Sequence, residues 1–167
     1  MIFLGMFRKN YFEDYSSMTL LFALITLFSA LSSIMVQQAF TSIYIIPFAM
    51  VPIIVSIFLD SRTAFMTHIS IVLLSSLPLR SPHEFILIQI IAGMAAIYSL
   101  RELSQRSQLL RSAVIVFLAY SLLYFALDLS HVEELKQLNR YMYLFFFING
   151  ILLLFIYPLS LIHISEP

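Results

Sequence analysis

The chain has no cysteine, no tryptophan and only three glycines in 167 residues, and only 11% of its positions are charged. Without cysteine it forms no disulfide, offers no thiolate nucleophile and holds no metal through sulfur. Soluble domains carry charge on about a quarter of their residues, so an ordinary water-facing surface is excluded. Its nine basic and nine acidic residues cancel, and there is no basic field of the kind that draws nucleic acid. Scarce glycine beside sixteen phenylalanines fits lipid-facing bulk better than the small-residue packing of a pore. Also missing is any polar, patterned stretch long enough to be a catalytic domain. The sequence contains no glycine-rich phosphate loop, no nucleophile elbow and no adjacent His-Asp pair of the kind used by metal phosphohydrolases.

What it does have is apolar sequence, 61% of the total, gathered into stretches over residues 18–36, 43–59, 64–79, 85–100, 112–128 and 141–159. A 19-residue helix rises roughly 28 Å, close to the hydrocarbon thickness of a bilayer. Lipid offers backbone groups no partner, and barrel strands would alternate polar and apolar residues, which these stretches do not. The fold expected is therefore all-α and integral to the membrane, a bundle of six transmembrane helices occupying residues 1–159 as one domain. The third and fourth stretches hold 16 residues each, and a re-entrant hairpin is the alternative for that pair. Pro52, midway along the second stretch, is expected to kink it, while Pro47 falls in the first turns at lower cost.

Positive charges orient the bundle. With the N-terminus inside, the inner segments carry Arg8, Lys9, Arg62, Arg101, Arg106 and Arg111, against Arg80, Lys136 and Arg140 outside. That split of six to three predicts both termini in the cytoplasm. Arg8 and Lys9 precede a run as long as a full span, with five more after it, so a retained first helix is expected in place of a cleaved signal peptide. Residues 1–6 (MIFLGM) read as the tail of a further apolar helix.

Few side chains invite chemistry. His68 is an ionisable group inside the third stretch, and such groups in lipid commonly serve as proton relays or ligand contacts. A neutral imidazole bonded to a neighbouring helix, or wetted near the interface six residues beyond Arg62, is the favoured reading. Gln89 and Asn149 are expected to make inter-helix hydrogen bonds worth roughly 1 kcal/mol each. The small residues of 92–96 (AGMAA) suit close helix approach. Asp60, Ser61 and Arg62 form a turn explained by a helix cap or a local ion pair. His83 with Glu84, and His131 with Glu133 and Glu134, lack recognised ligand spacing. No catalytic, cofactor-binding or metal-binding residue is assigned, and the purified chain is expected to have no phosphodiesterase activity.

Residues 44–64 (YIIPFAMVPIIVSIFLDSRTA) join an apolar, proline-containing span to Leu-Asp-x-Arg-x-Ala. Residues 91–111 (IAGMAAIYSLRELSQRSQLLR) lead from a small-residue helix into an arginine-bearing loop. With residues 7–11 (FRKNY) and 149–158 (NGILLLFIYP), this pattern resembles the membrane domain of bacterial seven-transmembrane HD receptors. The resemblance implies an extracytoplasmic sensor, seven spans and a cytoplasmic HD domain that hydrolyses cyclic di-AMP at a divalent metal centre. The six helices would then be the last six of seven, in the bacterial inner membrane. The sensor and HD domains would be the missing partners, beside the lipid bilayer. A homo-oligomer stays open. No metal ligand carries over to this chain, which stops where the HD domain is expected. Residues 160–167 (SLIHISEP), including His163, resemble translated adapter sequence and are expected to be a non-native tail.

The leading expectation is thus a sensor or signal-relay membrane domain. A small transporter or permease subunit and a structural anchor are the alternatives. Few polar groups in the spans and no evident repeat between residues 18–79 and 85–159 count against transport.

Overall fold

The computed structural model describes residues 15–38, 42–100, 107–130 and 140–154. Expectations that fall on residues 1–14, on the connector arginines Arg101 and Arg106, on His131, Glu133 and Glu134, and on the tail with His163 lie outside the described residues. Among the described residues every regular element is helical. Six α-helices follow in order: α1 Tyr15–Gln38, α2 Met50–Phe58, α3 Ser61–Ser76, α4 Pro82–Ser99, α5 Ser107–Ser130 and α6 Arg140–Leu154, with a single 3-10 turn, Ile43–Ile45, between α1 and α2.

Three of these helices are long and apolar enough to cross a membrane, over Tyr15–Gln37, Pro82–Ser99 and Leu110–Leu129. The stretches Ile43–Phe58 and Tyr141–Leu154 are apolar but shorter. Helix α3 belongs to neither group, and its composition explains why. Its buried face mixes Thr63, Thr67, His68, Ser75 and Ser76 with Ala64, Ile71 and Val72, while Met66, Leu73 and Leu74 are exposed. Polar groups on a helix buried among other helices find partners there, as His68 does on the Gln89 carbonyl.

The second apolar stretch departs from expectation. Instead of one helix kinked at Pro52, the chain makes the 3-10 turn, runs through Ile46 to Ala49, and starts α2 at Met50. The break belongs to Pro47. The residue before a proline is pushed out of the helical region, and Ile46 is extended, with φ −71° and ψ 124°. Pro52 is the third residue of α2, where the backbone N–H has no intrahelical acceptor to lose, so it costs nothing there.

Helix α2 then becomes the centre of the molecule. Val51, Pro52, Ile53 and Val55 of α2 are buried, as are Ile46, Phe48 and Ala49 in the segment leading into it, as expected of a helix apolar on most sides. It lies between α3 and α4. Around it, α1 packs on α3, α3 on α4, α4 on α5 and α5 on α6, and the 3-10 turn closes the circuit by touching both α6 and α1. Ala49 and Ile53 share a cluster with Ala92 and Ala96 of α4, so the small residues of 92–96 do serve close packing. On the other side, Val51 and Val55 join Leu21, Leu24, Phe28, Ile71 and Val72. Phe48 meets Phe85 edge-on at 5.2 Å within the second cluster, and Tyr44, packed against both clusters, meets Phe146 of the first edge-on at 5.7 Å.

Asp60 starts α3 as an N-cap. Its Oδ1 accepts from the backbone N–H of Arg62 at 2.9 Å and of Thr63 at 3.0 Å, and its Oδ2 accepts from the Thr63 hydroxyl at 2.7 Å. The cap reading of this turn therefore holds. Pro82 opens α4 at its first position, where a proline fits without loss.

Candidate functional site

Buried polar side chains gather in two connected layers within the bundle. In the first, His68 of α3 lies against α4, with its Nε2 2.8 Å from the carbonyl oxygen of Gln89. A carbonyl only accepts, so the proton of this bond sits on Nε2. The side chain of Gln89 reaches the other way, and its Oε1 accepts from the Tyr120 hydroxyl of α5 at 2.5 Å. One residue of α4 thus ties α3 to α5, through its backbone on one side and its amide on the other. His68, Gln89 and Tyr120 are all completely buried.

Gly93 makes this possible. It stands one turn beyond Gln89 on α4, and a Cβ built there would run into the Nε2 and Cδ2 atoms of the His68 imidazole. No L-residue with a side chain fits that space unless the ring moves. The glycine is a notch in α4 that admits the histidine to the carbonyl.

The second layer repairs the break at Pro47. Leaving helical geometry frees carbonyl groups, and lipid supplies no donor for them. Asn149 of α6 supplies two: its Nδ2 donates to the carbonyl of Tyr44 at 3.2 Å and to that of Ile46 at 3.0 Å. Phe146, one turn earlier on α6, stacks on the Tyr120 ring at 5.3 Å with an interplanar angle of 10°. The two layers therefore meet at the contact of α5 with α6.

His68 Nδ1, Gln89 Nε2 and Asn149 Oδ1 have no hydrogen-bond partner among the described residues. Such buried atoms cost about 1–3 kcal/mol each relative to a satisfied group. The network ties α3 to α4 and α4 to α5, and leaves these three atoms without a partner among the described residues.

The three polar residues singled out within the apolar stretches, His68, Gln89 and Asn149, all take part. His68 is bonded to a neighbouring helix and fully buried, so of its two non-catalytic readings the wet, interfacial one is excluded. Tyr120 was not legible as a member, because nothing in an apolar run distinguishes a tyrosine at a lipid interface from one inside a bundle. The Tyr44 and Ile46 carbonyls were equally hidden, although two prolines within six residues were a signal of freed backbone groups. At the surface, His83 has its Nε2 3.8 Å from the carboxylate of its neighbour Glu84. Among the described residues no three His, Asp or Glu side chains come together.

No curated protein and no solved structure matches the chain. A family model does, over residues 1–164, described as a 7TM receptor with intracellular HD hydrolase. With helices throughout the described residues, three of them able to span a membrane, the chain belongs to the family of seven-transmembrane receptors with an intracellular HD hydrolase.

Proposed function

We propose that the chain is the signal-relay part of such a receptor: a bundle crossing the bacterial inner membrane six times, with both termini cytoplasmic, that governs a cyclic di-AMP phosphodiesterase. In this reading the catalysis and its divalent metal belong to the HD domain, and the chain supplies position alone. The observation that carries it is the hydrogen-bonded layer joining α3, α4 and α5, in contact through Tyr120 and Phe146 with α6. A displacement at any one of these helices is passed to the others, because packed interiors shift between discrete arrangements more readily than they deform. The family is described as having an intracellular HD hydrolase, and in chain order α6 is the last of the described helices, which supports this reading.

The relay is tested in membranes bearing the receptor together with its HD domain. Gln89→Met keeps side-chain length and removes the amide tie to Tyr120, the backbone tie to His68 being left in place. Allosteric couplings amount to about 5-fold to 150-fold in equilibrium, so cyclic di-AMP hydrolysis should change at least about fivefold at unchanged protein level. A rate equal to that of the unmodified receptor would rule the relay out. Topology has its own test in a chain free of cysteine. Cysteines placed at Gln38 and Gln105 should label from opposite sides of the membrane with an impermeant reagent, and labelling of both from outside would overturn the topology.

A further inference from the structure

An apolar groove of about 170 Å³ runs along the outer seam of α5 and α6. Its walls recur at helical spacing: Leu110, Val114 and Phe117 on α5, and Phe147, Ile151 and Leu154 on α6. Residues three and four apart share one helix face, so each helix gives the groove a continuous side. The floor is made where the helices approach most closely, at Ala113 and Gly150. Phe117 and Phe147 close the inner end edge-on at 6.1 Å. At the other end stand Leu110 and Leu154, and beside Leu110 is the exposed Arg111. Leu110, Val114, Phe147 and Ile151 are themselves exposed, so the groove opens to whatever surrounds the bundle.

We propose that this groove binds one acyl chain of an anionic phospholipid whose phosphate is held by Arg111. From Leu110 to Phe117 the helix rises roughly 10 Å, which gives the chain a straight bed leading inward from the level of the arginine. The volume is close to the ~150 Å³ of apolar cavities that hold a benzene ring. Lined by hydrocarbon alone, the groove has nothing to offer a polar ligand. The guanidinium supplies the complementary half: its planar donors match phosphate oxygens in pairs, and its aliphatic stem lets the charge reach headgroup level from a helix in lipid. A zwitterionic lipid fills the groove equally well but adds an ammonium group near Arg111, which sets the expected preference. The site rests on the membrane reading of the chain and not on the relay. It lies on α5 and α6, the pair joined by Tyr120 and Phe146, so its occupancy bears on the seam through which the buried layer reaches α6.

The experiment is native mass spectrometry of the protein released from bilayers of equal phosphatidylglycerol and phosphatidylcholine. Phosphatidylglycerol should be retained in preference, one molecule per chain. Arg111→Gln should lower that preference about fivefold, the effect of one basic residue at an anionic surface. Gly150→Leu should abolish retention of both lipids. A Cβ at Gly150 meets only ordinary contacts, 3.5 Å to the Ala113 carbonyl oxygen and 3.7 Å to the Phe117 Cβ, so the added side chain enters the groove. Val114→Phe fills it from the opposite wall and should give the same result if Gly150→Leu impairs folding. Equal retention of the two lipids, or retention undiminished in both filled variants, would overturn the site. Neither result touches the hydrolysis assay on which the relay depends.

Discussion

Replacing Gly93 with alanine should cost the bundle about 1–3 kcal/mol, the usual penalty for forcing extra atoms into a packed interior. The sign is the informative part. In an exposed helix the same change is stabilising, because alanine is the better helix former by about 1 kcal/mol. Here the new methyl meets the His68 ring, and the imidazole must leave the Gln89 carbonyl to make room. The cost therefore depends on the histidine. In the His68→Ala background Gly93→Ala should be neutral or mildly stabilising, a coupling large enough to read in a double-mutant cycle. Reversible unfolding in mixed micelles gives the four stabilities needed. Additive effects of the two substitutions would mean that ring and notch do not interact.

Tyr120 should show the largest loss from truncation. It is the largest of the fully buried side chains among the described residues, it stacks on Phe146 and also donates to Gln89. Tyr120→Ala empties the meeting point of α4, α5 and α6, and large-to-small changes at such sites cost about 3–5 kcal/mol in water-soluble cores. Part of that figure is transfer from water, which a membrane bundle does not gain. The cavity term and lost dispersion contacts remain, so about 3 kcal/mol is expected. Tyr120→Phe keeps the stack and removes the hydroxyl alone, and intramembrane hydrogen bonds average about 0.6 kcal/mol with a maximum near 1.7. The same unfolding assay should therefore separate the variants by at least about 1 kcal/mol, alanine being the worse. Equal losses would assign the role of Tyr120 to its hydroxyl instead of its ring.

Much of this protein was legible before any fold was known, and the residues show which part. The apolar stretches located all six described helices, since burial of a backbone in lipid requires helix wherever sequence is uniformly apolar. Asp60 was legible as a cap because its carboxylate acts on N–H groups two and three residues away. His68, Gln89 and Asn149 announced themselves as groups needing partners. A polar atom in an apolar run carries that requirement in the sequence itself.

Which partners they found was decided elsewhere. Gly93 and His68 are 25 residues apart, and only the packing of α3 on α4 makes one a notch for the other. Asn149 answers carbonyls more than a hundred positions away, opened by a break that the sequence placed at Pro52 and the structure places at Pro47. Local chemistry dictated helix, cap and the need for hydrogen bonds, because those interactions close within one turn. The tertiary structure alone determined that α2 is the axis, that α3 turns His68 inward, and that Tyr120 and Phe146 join the two layers. Those outcomes depend on which helix faces which, and no short-range pattern carries that information.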